Sequence, residues 1–380
     1  MIKRLAIVAT HPIQYASPLF RLLNERGNIA IRVFYTWEKG SAEFDKDFGK
    51  KITWDIPLLE GYEYEFSSNN GSQRRDFRGV QNPGLEKAIE DWGAQAVLVI
   101  GWNYASHLRV MRRFKGRIPV LFRGDSTLLG EQNGWKKVAR RIFLRWVYRH
   151  VDIALYVGSR NKDYFLAHGL KERQLVFAPH AVDNIRFGNA EHEKEAAARR
   201  AALGIGPDQL LVVFVGKFQE QKDPLTLVGA WKDILEKDIH LLMVGTGVLE
   251  EKIRLAAAGN ERIHFLGFQN QSVMPEIYRI GDVFCLPSVS ETWGLSINEA
   301  MACSRAILAS DLCGCSVDLV REGTNGYIFA AGSKEDLCAK VRSFQERKGQ
   351  LREMGAASAS IIRDWSYDGL AAAIESAVAR

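Results

Sequence analysis

Long apolar runs are missing from this chain of 380 residues. The run nearest the start, "LAIVA" at 5–9, is too short for the core of a signal peptide and far too short to span a bilayer, which takes about 20 apolar residues. Low-complexity tracts are also missing. The composition, with 47% hydrophobic and 25% charged residues, is typical of a globular protein. These absences predict a folded protein that stays in the cytoplasm.

Cysteine is scarce and confined to the second half of the chain, at Cys285, Cys303, Cys313, Cys315 and Cys338. The number is odd, and no second Cys or His pair stands at zinc-site spacing, so free thiols in a reducing compartment are favoured. An Asp-x-Asp pattern at 45–47 could hold a divalent cation, but a lysine separates the two acids. We therefore expect a solvated loop there, no metal site and no cofactor.

The glycine motifs of nucleotide-binding proteins are incomplete. No G-x-x-x-x-G-K-[ST] sequence occurs, which disfavours a P-loop. Gly245 and Gly247 follow a predicted strand and precede a helix, but the third glycine of a dinucleotide fingerprint is missing. Binding of NAD is therefore disfavoured as well.

The chain does contain a repeated alternation of strands and helices. Near-continuous apolar runs predict strands buried on both faces, as in parallel sheets covered by helices; they lie at 5–10, 31–36, 96–101, 119–123, 153–158, 175–179, 210–216, 240–245, 263–267, 283–288 and 306–310. Amphipathic stretches separate them, and a polar, Ala-rich break falls near 188–207. This order predicts an α/β protein with two doubly wound domains, whose ligands bind beyond the carboxyl ends of the strands.

Two glutamates flank a predicted helix start in "SVSETWGLSINEAMA" (288–302). A buried strand precedes this stretch, and the helix should begin close to Gly294. Glu291 then lies in the loop, and Glu299 lies on the second helical turn. A carboxylate only accepts hydrogen bonds, so Glu299 can take two from a vicinal diol such as a ribose. A capping pair on an ordinary amphipathic helix remains the alternative for these residues alone.

The start of that helix is a candidate phosphate site. The backbone N–H groups of Gly294, Leu295 and Ser296 are the first of the helix, where the helix dipole favours an anion. Glycine at 294 would let the backbone approach a ligand closely.

A second candidate phosphate element is "VGKFQEQKDP" (215–224). Its first strand ends at Gly216, and Lys217 and Lys222 follow. Two cations just beyond a strand end suit a diphosphate. A solvated turn remains the alternative reading of two lysines.

These stretches together resemble glycosyltransferase family four, the retaining GT-B enzymes of group 1 type. The motifs "FVGKFQEQKDPLTL", "MVGTG", "FLGF", "YRIGDVFCLPSVSETWGLSINEAMACSRAILASD" and "LVREGTNGYIF" occur in order. The resemblance covers about 150–380, and the first half of the chain agrees more weakly. It implies two Rossmann-like domains facing a cleft and transfer of a sugar from a nucleotide donor with retained anomeric configuration, usually without a metal ion.

The resemblance also implies domain boundaries. They give an acceptor-side domain at 1–188, a nucleotide-sugar domain at 189–362 and a final helix at 363–380 that crosses back to the first domain.

Roles for individual residues follow from the same resemblance. Lys217 and Lys222 would hold the diphosphate and Glu299 the ribose. Glu291 and the amides of Gly294 and Leu295 would contact the donor sugar and phosphate. Gly216 and Gly245 belong to the same donor-binding loops.

The first domain departs from the family pattern. The loop after its first strand reads "THPIQYASP" in place of a glycine-rich sequence, so His11, Gln14 and Tyr15 would line the cleft. Where the family often has a histidine against the donor sugar, "FRGDS" supplies Arg123 and Asp125, and we assign Asp125 a catalytic role with Lys217, Lys222 and Glu291. At the crossover, His180 stands where asparagine is common. These changes leave the donor and acceptor open.

Positive charge is concentrated in the first half. Residues 1–180 carry 29 Lys and Arg against 18 Asp and Glu, whereas 181–380 carry 22 against 27. Most of the excess lies in 101–150, which carries 12 Lys and Arg against Asp125 and Glu131. Within it, "GWKKVARRIFLRWVYRH" (134–150) predicts a basic amphipathic helix with Ile142, Phe143, Trp146 and Val147 on one side. Such a helix suits an anionic membrane surface; a core-packed helix with a solvated basic face is the alternative.

The resemblance therefore implies a retaining, metal-independent glycosyltransferase of bacterial surface polysaccharide synthesis. Its partners would be a UDP- or GDP-sugar, a glycan or lipid-linked acceptor and the inner face of the cell membrane. A GT-B sugar-nucleotide epimerase is the first alternative. The second alternative is a nucleic-acid-binding protein that uses the basic stretch 101–150, but the chain has no recognised nucleic-acid motif.

Overall fold

A computed structural model describes residues 2–37, 44, 45, 50, 51, 53–72, 74, 76–131 and 134–380. Asp47, and with it the Asp-x-Asp pattern, lies outside the described residues. The chain forms two compact units. The first comprises Met1–Glu43, Ile56–His180 and Tyr367–Arg380, and the second comprises Phe44–Asp55 and Ala181–Ser366. The domain boundaries after 188 and 362 stay predictions.

The first unit is built on a parallel sheet of seven strands in the order β5-β2-β1-β6-β7-β8-β9. Its strands are β1 (Arg4–Ala9), β2 (Ala30–Tyr35), β5 (Tyr64–Phe66), β6 (Ala96–Ile100), β7 (Val120–Arg123), β8 (Ile153–Tyr156) and β9 (Leu175–Phe177). The short strands β3 (Phe44–Asp45) and β4 (Lys50–Lys51), which fall in the second unit, form a separate antiparallel pair. The helices are α1 (Ser17–Arg26), α2 (Leu85–Asp91), α3 (Ala105–Phe114), α4 (Trp135–Tyr148), α5 (Ser159–Ala167) and, at the chain's end, α15 (Tyr367–Ala379).

The second unit contains a parallel sheet of six strands in the order β12-β11-β10-β13-β14-β15. Its strands are β10 (Leu210–Val215), β11 (Ile239–Val244), β12 (Ile263–Leu266), β13 (Val283–Leu286), β14 (Ala306–Ser310) and β15 (Gly326–Phe329). Its helices are α6 (Asn184–Gly188), α7 (His192–Ala202), α8 (Pro224–Asp233), α9 (Glu250–Ala257), α10 (Met274–Ile280), α11 (Leu295–Ala302), α12 (Ser316–Leu319), α13 (Lys334–Glu346) and α14 (Leu351–Ile362).

The strands form where the apolar runs predict them. Each of the eleven predicted runs contains a strand, and β11 is buried at all six positions, because helices cover both faces of a parallel sheet. The short edge strands β5 and β15 were not predicted. The predicted fold class is confirmed: both units are doubly wound and parallel. None of the described helices is both long and apolar enough to span a membrane.

The last helix packs against the first. Leu370, Ile374 and Val378 of α15 are buried in one cluster with Phe20 and Leu23 of α1. Beside this cluster the guanidinium of Arg26 donates to both carboxylate oxygens of Glu375, at 2.9 and 3.0 Å. The two ends of the chain therefore meet within the first unit.

Candidate functional site

The second sheet has its topological switch point between β10 and β13. Strands β11 and β12 lie on one side of β10, and β13, β14 and β15 lie on the other. At the carboxyl edge of the sheet, the chain consequently runs from β10 toward one side of the switch point and from β13 toward the other. Crevices of this kind bind ligands in open α/β folds, and Lys217, Lys222 and Glu291 lie on the loops that follow β10 and β13.

The two loops are joined by backbone hydrogen bonds. The N–H groups of Val289 and Ser290 donate to the carbonyl oxygen of Gln221 at 3.0 and 3.4 Å. Asp223 has a positive φ of 45° and caps the start of α8 by accepting from the Thr226 N–H at 3.4 Å. The backbone thus fixes the position of Lys222, which stands between these two contacts.

An ion pair forms between side chains of the two loops. The ammonium group of Lys222 is paired with a carboxylate oxygen of Glu291, and both side chains are largely buried, with exposed fractions of 21% and 16%. The backbone of Glu291 is paired in turn with that of Cys313, in the loop after β14, through an isolated parallel β-bridge. The sequence placed Lys222 and Glu291 on one ligand but did not foresee that they pair with each other.

Helix α11 begins where it was predicted. Gly294 is its N-cap residue and has φ 103°, a left-handed conformation that side chains rarely adopt. A Cβ there would come within 3.0 Å of Leu286 Cδ2. The first N–H groups of any α-helix lack intrahelical acceptors, so the start of α11 at Leu295 and Ser296 suits an anion.

Glu299 lies inside the unit. Its side chain is 3% exposed, and the hydroxyl of Tyr278 on α10 donates to its Oε2 at 2.5 Å. A buried carboxylate needs hydrogen-bond donors, and Tyr278 supplies one. The role of Glu299 as hydrogen-bond acceptor for a ribose stays a prediction.

Two glycines pack the loop after β11 against the loop after β10. A Cβ on Gly245 would lie 2.0 Å from the Gly216 carbonyl oxygen, and one on Gly247 would lie 2.6 Å from the Phe218 oxygen. Only glycine permits these contacts, which explains the incomplete G-x-G motif without a dinucleotide. Gly216 and Gly245 thus shape the loop that carries Lys217 and Lys222.

In the first unit, the structure brings together Arg123, Asp125 and His180. Arg123 ends β7 and donates to the carbonyl oxygens of Ala178 and Pro179, at 2.8 and 2.9 Å. Burial lowers the pKa of Arg123 to about 10, against the effect of Asp125. Burial and the neighbouring Arg123 lower the pKa of His180 to about 4, so its imidazole is neutral near pH 7. Arg123 therefore fixes the chain just before His180.

The other predicted residues of the first unit follow β1. His11, Gln14 and Tyr15 are partly buried, and the carbonyl oxygen of Tyr15 accepts from the hydroxyl of Tyr367 at 3.1 Å. Their contact with an acceptor stays a prediction. Among the residues that the structure describes, no group of three or more His, Cys, Asp or Glu could hold a metal ion.

A buried histidine at the switch point of the first sheet was missed. His107 on α3 contacts the loops after β2 and β6: its Nδ1 donates to the Gly101 carbonyl at 2.9 Å, and its Nε2 accepts from the Thr36 hydroxyl at 3.0 Å. Both ring nitrogens are used by the neutral imidazole, and burial lowers the pKa of His107 to about 4. Its partner Thr36 is 71 residues away in the chain, so no local pattern reveals the contact.

Because His107 stays neutral in the fold, we expect the free energy of unfolding to decrease as the pH is lowered. In the unfolded chain its pKa returns to about 6.5, so between pH 6.5 and 4 the unfolded chain binds a proton that the folded protein does not. This one group should lower the free energy of unfolding by about 2 kcal/mol between pH 7.5 and pH 5. Urea denaturation at both pH values measures it. A His107→Asn variant should show a shallower dependence, and equal slopes would contradict this role.

Helix α4 has two apolar faces, which corrects the predicted single face. Leu144, Val147 and Tyr148 are buried in the unit. Trp135, Val138, Ile142 and Phe143 are exposed, with fractions of 76%, 59%, 65% and 41%. At 100° per residue, Ile142 and Val147 point about 140° apart, so Val147 joins the core while Ile142 faces outward.

Comparison with known proteins shows which family this chain is similar to. Residues 196–360 match the sequence model of the glycosyl transferases group 1. A D-inositol 3-phosphate glycosyltransferase of Nocardia farcinica is 29% identical over 275 residues, which are 67% of this chain and 58% of that protein. The match therefore spans less than two thirds of this relative.

Solved structures share the whole fold. The Anabaena protein Alr3699/HepE, crystallised with UDP and glucose, aligns with a TM-score of 0.74 at 16% identity over 99% of both chains. Sucrose-phosphate synthase of Thermosynechococcus elongatus aligns with a TM-score of 0.71 at 17% identity over 98% and 97%. The chain thus has the GT-B fold. The match over residues 196–360 supports the resemblance to the glycosyl transferases of group 1.

Proposed function

We propose that this protein transfers a sugar from a nucleotide-sugar donor to a glycan or lipid-linked acceptor with retention of configuration. The observation that carries the proposal is the site at the switch point of the second unit. There Lys222 pairs with Glu291, which stands three residues before the helix N-terminus at Gly294, within the part of the chain that matches the group 1 family. These groups match the anionic and polyhydroxyl parts of a sugar nucleotide.

Each part of the donor has a partner in this proposal. Lys222, Lys217 and the amides at the start of α11 bind the diphosphate, which carries the developing negative charge as it leaves. Glu299 accepts hydrogen bonds from the ribose hydroxyls. Glu291 contacts the donor sugar.

The chemistry is a front-face substitution. The acceptor oxygen forms a bond to the anomeric carbon on the face from which the diphosphate oxygen departs. The acceptor proton passes to the leaving diphosphate. Lys217, Lys222 and the start of α11 stabilise the diphosphate charge in this proposal, in place of a metal ion. The catalytic role of Asp125 and the acceptor-side roles of Arg123 and His180 stay predictions.

The experiment that tests this function is incubation with UDP-, GDP- and ADP-sugars, followed by thermal melting and NMR of the products. One base class should raise the melting temperature, and an acceptor-dependent product with the donor's anomeric configuration should form. An epimerised donor formed without acceptor would instead establish the sugar-nucleotide epimerase. No stabilisation by any sugar nucleotide would contradict both functions.

We also propose that α4 places the protein on the inner face of the cell membrane. Its outward apolar residues Trp135, Val138 and Ile142 are flanked by arginines and lysines of the same helix, a combination that suits anionic lipid. A surface polysaccharide enzyme would meet a lipid-linked acceptor there.

Flotation with vesicles tests the membrane contact. The double variant Trp135→Ser/Ile142→Ser should lose at least about tenfold in binding to vesicles with anionic lipid, because two large apolar side chains no longer enter the interface. The control is Val248→Ser/Leu255→Ser, which alters two equally exposed residues, at 70% and 78%, of the second unit. Equal binding to neutral and anionic vesicles, or equal loss in both variants, would contradict the proposal.

A further inference from the structure

Lys222 carries its own counter-ion. The Lys222 ammonium group is paired with the carboxylate of Glu291. The proposed function assigns the same ammonium group to the donor diphosphate. A diphosphate that binds Lys222 would therefore approach a negative charge within a few ångströms, which opposes its binding. Either Glu291 gives up Lys222 when the donor binds, or its charge weakens binding throughout.

The ion pair is not what joins the two loops. The amides of Val289 and Ser290 hold the loop after β13 to Gln221 through the backbone, and Asp223 fixes the chain just after Lys222 by capping α8. The Glu291 backbone is anchored separately by its bridge to Cys313. The side chains of Lys222 and Glu291 can thus separate while the loops remain in place.

We propose that Glu291 is an exchange partner that makes the site prefer the nucleotide sugar to the free nucleoside diphosphate. When the complete donor binds, Lys222 passes from Glu291 to the diphosphate, and the released carboxylate accepts hydrogen bonds from sugar hydroxyls. When the sugar has been transferred, the carboxylate loses these donors. It then pairs with Lys222 again and displaces the diphosphate product. The inference rests on the proposed function, in which Glu291 contacts the donor sugar.

Calorimetric titration tests the exchange. The probes are the nucleoside diphosphate, from among UDP, GDP and ADP, whose sugar stabilises the protein most, and that nucleotide sugar. Glu291→Gln keeps the shape of the side chain and removes its charge. It should bind the free diphosphate about tenfold or more tightly, the effect of one unit charge near the site, and bind the nucleotide sugar with a smaller gain. Product inhibition should tighten in proportion.

The matched control is Glu220→Gln, which removes a charge from the same loop at an exposed position. It should change both affinities by less than about twofold, since an exposed charge is screened. Damage to the fold would weaken binding, so tighter binding by the Glu291 variant cannot arise from it.

Lys222→Ala separates the exchange from the proposed function. If this variant binds the diphosphate as the wild type does, the proposed donor site is wrong. If Lys222→Ala binds weakly but Glu291→Gln binds the free diphosphate no more tightly than Glu220→Gln, the donor site stands and the exchange is wrong. Weaker binding of both probes by Glu291→Gln would also overturn the exchange.

Discussion

Replacement of Lys222 by alanine should lower the rate of sugar transfer by about 10²–10³-fold, which is the usual effect of removing one key group that stabilises developing charge. The diphosphate gains negative charge as the sugar leaves, and Lys222 is the cation that the backbone of both site loops holds at the switch point. The variant also leaves the largely buried Glu291 without its cation, which adds repulsion. Steady-state kinetics with the nucleotide sugar that stabilises the protein most measures this loss of rate.

The control for this variant is Lys232→Ala, an exposed lysine on the same stretch of the second unit, in α8. It should keep kcat and KM within about twofold, because surface charges far from a site contribute little. Thermal melting should show both variants folded. Near-normal turnover by Lys222→Ala would remove the leaving-group role on which the mechanism depends.

Replacement of Glu299 by glutamine should weaken donor binding by about 10–10²-fold. Hydrogen bonds to a charged acceptor contribute about 1.5–3 kcal/mol each, and the neutral amide makes weaker ones. Since the proposed partner is the ribose diol, the wild type should bind a 2′-deoxynucleoside diphosphate more weakly than the ribonucleotide. The variant should lose this preference, and calorimetry with the two nucleotides measures it.

Tyr278→Phe is the matched variant for this prediction. It removes the hydroxyl that donates to Glu299 Oε2 and keeps the carboxylate, so the ribose preference should remain while affinity falls less than in Glu299→Gln. If the glutamine variant keeps the full preference for the ribonucleotide, Glu299 serves the fold alone, as a buried partner of Tyr278.

The sequence predicts the second unit well because its signals are local. Buried parallel strands appear as continuous apolar runs, and the start of α11 is marked by Gly294 directly after a loop. The residues of the site follow strands β10 and β13, so the rule that ligands bind at the carboxyl ends of strands brings Lys217, Lys222 and Glu291 to one edge. No structure is needed for that step.

What the sequence does not predict depends on contacts between distant segments. The pairing of Lys222 with Glu291 joins residues 69 positions apart, and that of Tyr278 with Glu299 joins two helices. The single apolar face predicted for α4 was wrong because an apolar residue looks the same in a core and on a surface. Only the packing of Val147 in the first unit separates it from Ile142.

A crystal structure with the bound nucleotide sugar tests the central claim most directly. We predict that the phosphate nearest the sugar lies within hydrogen-bond distance of the Lys222 ammonium and of the N–H groups at the start of α11, with the ribose hydroxyls on Glu299. Phosphate density elsewhere, with Lys222 still paired to Glu291, would contradict the account.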